Sequence, residues 1–330
     1  MYLALHINVS NKKVMKKIKN LAQRCCSLLL FIFTLHTATD AQTKNNNSIL
    51  KSTKQSWFTV PFKQVGNLIE IKASINGIVR TFILDNGAPM LVLNSAYIKS
   101  DSLSKKEAIQ GQGSGGTIDN MHIDIINQFE MNDIQLKDQR ALVINLAHLE
   151  QETHSKIYGL VGYEIYKNYD LLFDYKNKTI TFIKAEKTNA FMYNKLSSSK
   201  FIEVPIIMNN HIAVVDCEMM HKLYKMGIDC GAESNLFDTN LISELKSNIK
   251  SMQSDELLGA NASSTNISSG KIKRIKIGTR KFRNTITVFN SIAHLNQNNP
   301  MKIDGLIGYE ILSKQKTLLS YSNKKLVFIK

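Results

Sequence analysis

The sequence predicts an all-β protein of two similar lobes with a few short helices. Three observations predict it. First, from Trp57 the chain can be laid over itself without gaps at an offset of 144, so that Val60-Pro61 falls on Val204-Pro205 and Asp85, Gly87 and Ala88 fall on Asp229, Gly231 and Ala232. Later the offset becomes 146: Ala147-His148-Leu149 matches Ala293-His294-Leu295, and Gly159-Leu160-Val161-Gly162-Tyr163-Glu164-Ile165 matches Gly305-Leu306-Ile307-Gly308-Tyr309-Glu310-Ile311. Second, each copy carries alternating or continuous apolar runs of strand length. Third, one such run in each copy ends in an acid, a small residue, a glycine and an alanine. The steady offset implies two copies of a unit of about 140 residues, far longer than a solenoid repeat.

In chain order, residues 1–41 read as a signal peptide. Lys12, Lys13, Lys16, Lys17 and Lys19 form a basic start, residues 28–35 a short apolar run, and Ala38-Thr39-Asp40-Ala41 a small-residue cleavage site before Gln42. The apolar run is too short for a permanent span, which an N-terminal anchor would need. Cys25 and Cys26 precede that run, whereas a lipid-anchoring cysteine follows it. Residues 42–56 are polar and aperiodic, a flexible linker. Residues 57–196 form the first lobe and 197–330 the second.

In the first lobe, residues 68–74 and 78–84 flank Asn76-Gly77, the strongest short hairpin signal. The second lobe has Met220-His221 at that turn, and lacking a glycine it is expected to be looser. Gly111-Gln112-Gly113-Ser114-Gly115-Gly116 reads as a mobile hairpin tip, since no lysine or helical pattern follows to make a phosphate cradle. Residues 139–145 and 284–290 read as strands, 163–169 as one or two helical turns, and 174–178 and 320–324 as turns within terminal hairpins.

Composition excludes several classes. A hydrophobic share of 43% supports real cores and rules out a disordered chain. The formal charge of +15 comes partly from the leader, and the remaining lysines are scattered singly. Without an aromatic-interleaved basic patch, no nucleic-acid partner is expected. After leader removal only Cys217 and Cys230 remain, too few for a disulfide framework.

The two acids carry the chemistry. An aspartate ending an apolar strand is poorly solvated unless a turn offers backbone N–H groups, and Gly87 and Gly231 allow that approach. Were the lobes related by a twofold axis, Asp85 and Asp229 would meet. Two carboxylates that close share one proton. The charged one activates a water; the protonated one polarises a scissile carbonyl.

Asp-x-Gly-Ala after an apolar strand, followed by apolar-apolar-Gly (Leu160-Val161-Gly162, Leu306-Ile307-Gly308) and present twice, resembles the pepsin/retropepsin-type aspartic peptidases. The likeness is nearest to secreted bacterial retropepsin-like proteins with two units. It covers roughly residues 57–330. It implies two β-barrel lobes, an extended peptide or protein substrate between them, and a β-hairpin flap within about 108–123. It also implies Asp85 and Asp229 as the catalytic pair, Asn86, Gly87, Ala88, Cys230, Gly231 and Ala232 as loop support, and Gly162 and Gly308 as glycines threaded beside each loop. No metal or organic cofactor is implied. Nor is a stable membrane span after leader removal. A monomer of the secreted or periplasmic space, in a bacterial cell envelope, is expected. The family normally has Thr or Ser after each acid, where Asn86 and Cys230 stand. The loss of those hydroxyls is expected to loosen the dyad, raise its pKa values and shift a pH optimum toward neutral. The alternatives are a weak or inactive peptide-binding relative and a structural envelope scaffold.

Other residues invite other readings. Cys230 suggests a nucleophile, but no His is near it in sequence. A Cys217–Cys230 bridge is disfavoured, because the hairpin places Cys217 opposite Tyr224 and Cys230 opposite about His211. His148 and His294 repeat, yet lack paired ligand spacing, so a shared structural turn is expected. Asp174 matches Ser320, and so reads as a turn residue.

Overall fold

The computed structural model describes residues 55–98, 107–113, 116–258, 264–297 and 299–330, with side chains at 107–120, 255–258 and 264–266 left aside. The leader and most of the linker therefore lie outside the described residues. So does the tip of the glycine-rich hairpin.

Alternation and short turns build two closed barrels of six strands each. In the first, the ring runs Leu68–Ile75, Ile78–Leu84, Gly159–Val161, Leu91–Asn94, Ile134–Ile144 and Gly116–Met131. It closes where Ser74 and Ile75 lie opposite Glu130 and Phe129. The second ring uses Ile212–Met219, Lys222–Ile228, Gly305–Ile307, Asn235–Asp238, Arg280–Asn290 and Ser264–Ile277. It closes where Cys217 and Glu218 lie opposite Ile277 and Lys276. Closure removes the unpaired edges of an open sheet. The bilobal, mostly β architecture of two barrels expected from the sequence is the one observed.

A third set of strands joins the lobes: Trp57–Pro61, Thr179–Lys184, Tyr169–Asp174, Lys316–Ser320, Lys325–Ile329 and Phe201–Asn209, in that order. At its centre Leu172 pairs with Leu318. These are the same position in the two halves, so the local twofold passes through this pair. The sheet buries Leu172, Ile183, Leu318, Val327 and Ile329 under Phe191 and Leu196 of helix Thr188–Leu196. Each fully buried large apolar side chain here contributes about 1.5–3 kcal/mol to holding the helix on the shared sheet.

Several elements differ from expectation. The strands at 139–145 and 284–290 begin earlier, as Ile134–Ile144 and Arg280–Asn290. The second hairpin turn is as tight as the first. Ile75 pairs with Ile78 across Asn76 and Gly77 (φ 50° and 77°), and Met219 pairs with Lys222 across Met220 and His221 (φ 49° and 65°). Neither Met nor His is β-branched, so the left-handed backbone is tolerated, and the twist-matched two-residue turn forms without glycine. The helical turns after the second glycines are Tyr163–Tyr166 and Tyr309–Leu312. The glycine-rich segment is a hairpin, Glu107–Gly113 against Gly116–Met131, with Gly113 opposite Gly116.

Candidate active site

Each acid sits where a barrel strand stops. Strand Ile78–Leu84 pairs in parallel with Gly159–Val161, and the ladder runs one step further as Asp85 N–H donates to Val161 O (3.1 Å). In the other lobe Lys222–Ile228 pairs with Gly305–Ile307, and Asp229 N–H donates to Ile307 O (3.0 Å). The chain then turns sharply. Gly87 N–H and Ala88 N–H both donate to Asp85 Oδ1, at 2.8 and 3.2 Å. Gly231 N–H donates to Asp229 Oδ1 at 2.7 Å. Tyr163 N–H and Tyr309 N–H tie down the loops by donating to Ala88 O (2.9 Å) and Ala232 O (3.0 Å).

The loops pack against each other so closely that each glycine backs onto the opposite acid. A Cβ on Gly87 would lie 2.7 Å from Asp229 Oδ2, and one on Gly231 would lie 2.4 Å from Asp85 Oδ1. Gly162 and Gly308 are equally confined, with a Cβ meeting Met90 O at 2.1 Å and Ala232 O at 2.4 Å. All ten residues singled out from the sequence therefore converge. Asp85 and Asp229 lie within hydrogen-bonding reach of each other and are buried, 9% and 1% exposed. Burial raises both carboxyl pKa values, Asp229 well above the usual carboxylate range. The charge of Asp85 adds to the rise at Asp229, and backbone N–H groups moderate it at both, those of Gly87 and Ala88 at Asp85 and those of Gly231 and Gly87 at Asp229.

The residue after the first acid behaves otherwise than expected. Asn86 does not leave the loops loose. Its Nδ2 donates to Ile228 O (2.7 Å) and its Oδ1 accepts from Cys230 N–H (2.6 Å), so one fully buried amide ties both sides of the opposite loop. An amide offers donor and acceptor at once, which a single weak thiol does not. Cys230 makes the poorer return contact, its thiol donating to Leu84 O at 3.5 Å.

Other candidates separate from the site. Burial pushes the Cys230 thiol pKa well up, with both acids adding to the rise, so the sulfur stays protonated and is no nucleophile. Cys217 and Cys230 are both free, and Cys217 lies opposite Tyr224 as the hairpin requires. His148 and His294 lie on helices Ala147–Thr153 and Ala293–Asn296, and burial lowers the pKa of His294 to about 4. Among the described residues no group of three or more His, Cys, Asp or Glu could hold a metal ion. Asp174 caps its turn through Asn177 N–H (3.1 Å) and pairs with Lys316 (2.9 Å).

Two side chains at the loops went unread in the sequence. His211 Nε2 lies 2.8 Å from Gly87 O, and Asn67 Nδ2 donates to Glu233 O at 2.8 Å. They occupy the same position in the two halves, at the offset of 144, each reaching into the opposite lobe. The repeat itself was the signal that could have flagged them.

Residues 71–165 match a family model described as aspartyl protease. A search of the curated proteins found no match. Among solved structures the chain is similar to basic 7S globulin from soybean, at 7% identity and a TM-score of 0.47, covering 83% of this chain and 94% of that one. The family match supports an aspartic peptidase family and, with it, a hydrolase. No helix among the described residues is long and apolar enough to cross a membrane.

Proposed function

We propose that this protein is an aspartic-type endopeptidase in which Asp85 and Asp229 together activate a water for attack on a peptide bond. The observation that carries this reading is the pair of buried carboxylates held on matched loops across the local twofold. Burial raises Asp229 further than Asp85, with the charge of Asp85 adding to the rise, so in this reading Asp85 is the anion and Asp229 holds the shared proton. Asp85 takes a proton from the water as it attacks the carbonyl carbon. Asp229 gives its proton to the carbonyl oxygen, forming a neutral tetrahedral gem-diol. Asp85 then returns its proton to the departing nitrogen as the C–N bond breaks, and Asp229 recovers a proton from a hydroxyl of the diol. The atoms balance with water and the two acids alone.

Residues 57–196 and 197–330 are, in this reading, two copies of one ancestral unit. The chain works as a monomer, because both acids come from one polypeptide. Export of a bacterial protein to the periplasm or beyond, with cleavage before Gln42, fits the lysine-rich and apolar leader. Sequencing the N-terminus of protein recovered from the cell envelope tests that part.

The main test compares cleavage of a mixed peptide library by the wild type, Asp85→Asn and Asp229→Asn. Loss in both variants, with inhibition of the wild type by a statine-type transition-state mimic, supports the enzyme. Peptide binding without cleavage at any pH points to an inactive peptide-binding relative, a reading the weak Cys230 contact favours. Neither binding nor cleavage leaves a structural scaffold.

A further inference from the structure

The mechanism above uses neither His211 nor its partner carbonyl. His211 sits at the start of the second barrel, just before strand Ile212–Met219, and is partly buried. Its Nε2 reaches across the lobe boundary to Gly87 O at 2.8 Å. That carbonyl belongs to the peptide group whose N–H, on Ala88, donates to Asp85 Oδ1 at 3.2 Å and is shared with Asp85 O at 3.3 Å. Imidazole, peptide and carboxylate thus form one line of hydrogen bonds. A donor on the oxygen end of a peptide polarises its N–H end, so the bond to the carboxylate strengthens.

Resting on the peptidase reading, we propose that His211 is a positioning residue for Asp85: its Nε2–H fixes and polarises the Gly87–Ala88 peptide that holds the carboxylate. The carbonyl can only accept, so the imidazole must carry its proton on Nε2. Burial lowers the His211 pKa, which favours the neutral ring, and that single tautomer suffices. The Tyr163 ring lies beside it, 6.5 Å between centroids, and the backbone N–H of Tyr163 holds the next carbonyl, that of Ala88. The carbonyls of Gly87 and Ala88 are therefore each fixed, one from each lobe.

The other half is built differently. At the position equivalent to His211, Asn67 sends its side-chain amide to Glu233 O and its backbone N–H to Glu233 Oε1, both at 2.8 Å. That brace lands two residues further along its loop than the His211 brace does. It does not touch a peptide group that binds Asp229. The imidazole thus acts on a peptide that binds Asp85 and has no counterpart on a peptide that binds Asp229.

The test uses His211→Leu, which removes the donor, and His211→Gln, whose amide can donate to the same carbonyl. Two readouts are taken on the purified protein: kcat and KM for a cleaved peptide, and titration of the Asp85 carboxyl carbon by NMR. With one hydrogen bond lost, kcat in the Leu variant falls about fivefold with KM nearly unchanged. The Asp85 titration moves up by about half a pH unit, because the charged form loses part of its support. The Gln variant recovers most of both. Unchanged kcat and titration in a folded Leu variant overturn the proposal, as does equal impairment of Leu and Gln, which would assign the effect to packing. Should the Leu variant fail to fold, His211→Asn, polar but too short to reach, replaces it with the same expectations. If the wild type cleaves no peptide, the peptidase reading falls, and the NMR titration still decides whether His211 supports Asp85.

Discussion

The loops at Asp85 and Asp229 have nearly the same backbone and unequal side-chain support. Each continues its strand by one hydrogen bond to the threaded partner, turns at a glycine, and is tied down by a tyrosine N–H. Yet Asn86 makes two short bonds to the Asp229 loop, while Cys230 returns a single long thiol contact. Asp85 accepts two N–H groups of its own loop, whereas Asp229 accepts one of its own and is supported from the opposite loop by Gly87 N–H. The difference teaches that a symmetric frame need not give two equal acids. Burial and the charge of Asp85 raise Asp229 further than Asp85, so two matched loops hold two acids of different pKa.

The hardest way to break the comparison is to remove the acids. Asp85→Asn and Asp229→Asn should each lower peptide cleavage by about 10³-fold or more, since neither half can supply both proton-transfer roles. Steady-state rates on a cleaved peptide read this directly. Because burial raises both carboxyl pKa values, the wild-type pH–rate profile should peak above about pH 4. A peak well below that would mean the acids are better solvated than their loops suggest.

Next in size is the grip between the loops. Asn86→Ala strands the Ile228 carbonyl and the Cys230 N–H, both buried, and should cost about 2–4 kcal/mol of stability in denaturant unfolding. Asn86→Thr should recover part of it by restoring a donor and an acceptor. A loss under about 0.5 kcal/mol for Asn86→Ala would mean that the loops relax onto other partners.

Stability also separates the acids from their supports. Asp229 is nearly inaccessible and its pKa is raised well above the usual range by burial, then by the charge of Asp85. The unfolded chain therefore loses this proton at lower pH than the folded one, and stability falls as pH rises between the two values. Asp229→Asn removes that penalty. At pH 7 its melting temperature should rise by about 3 °C, roughly 1 kcal/mol, and the gain should vanish below the unfolded-state pKa. The same variant that abolishes cleavage would thus stabilise the fold, the opposite of Asn86→Ala.

How much of this was legible beforehand depended on what the signal was made of. The barrels could be read because period-two apolar runs, the Asn76-Gly77 turn and the repeat all pointed the same way. The meeting of Asp85 and Asp229 could be anticipated because an acid with a glycine turn at the end of a buried strand recurs in register in both halves. Helix Thr188–Leu196 could not be read. Its buried positions, Thr188, Phe191 and Leu196, make too narrow a stripe for a clear helical period, and it is held by Phe191 against Trp57 and by Thr188 donating to Asp170, partners remote in sequence. The Met220-His221 turn was placed correctly but expected to be loose, because the absence of a glycine argued against the tight turn that strand pairing imposes. Asn86 was misjudged for a related reason. The missing hydroxyl suggested a looser pair of loops, but the space between them accepts the whole amide and uses both ends.

The smallest expected effect bears most directly on the asymmetry. Cys230 sits where its thiol can reach Leu84 O, but a thiol is a weak donor. Cys230→Ser keeps nearly the same shape and exchanges it for a strong one. The serine Cβ–O bond is shorter, so the loops must close slightly for the hydroxyl to meet the carbonyl. If they do, stability should rise by up to about 1 kcal/mol, and kcat should increase by no more than about fivefold as the two loops become equally held. If the chain depends on unequal support to keep the acids apart in pKa, kcat should instead fall while stability rises. Measuring both on the one variant distinguishes a grip that is merely incomplete from one whose imbalance serves the reaction.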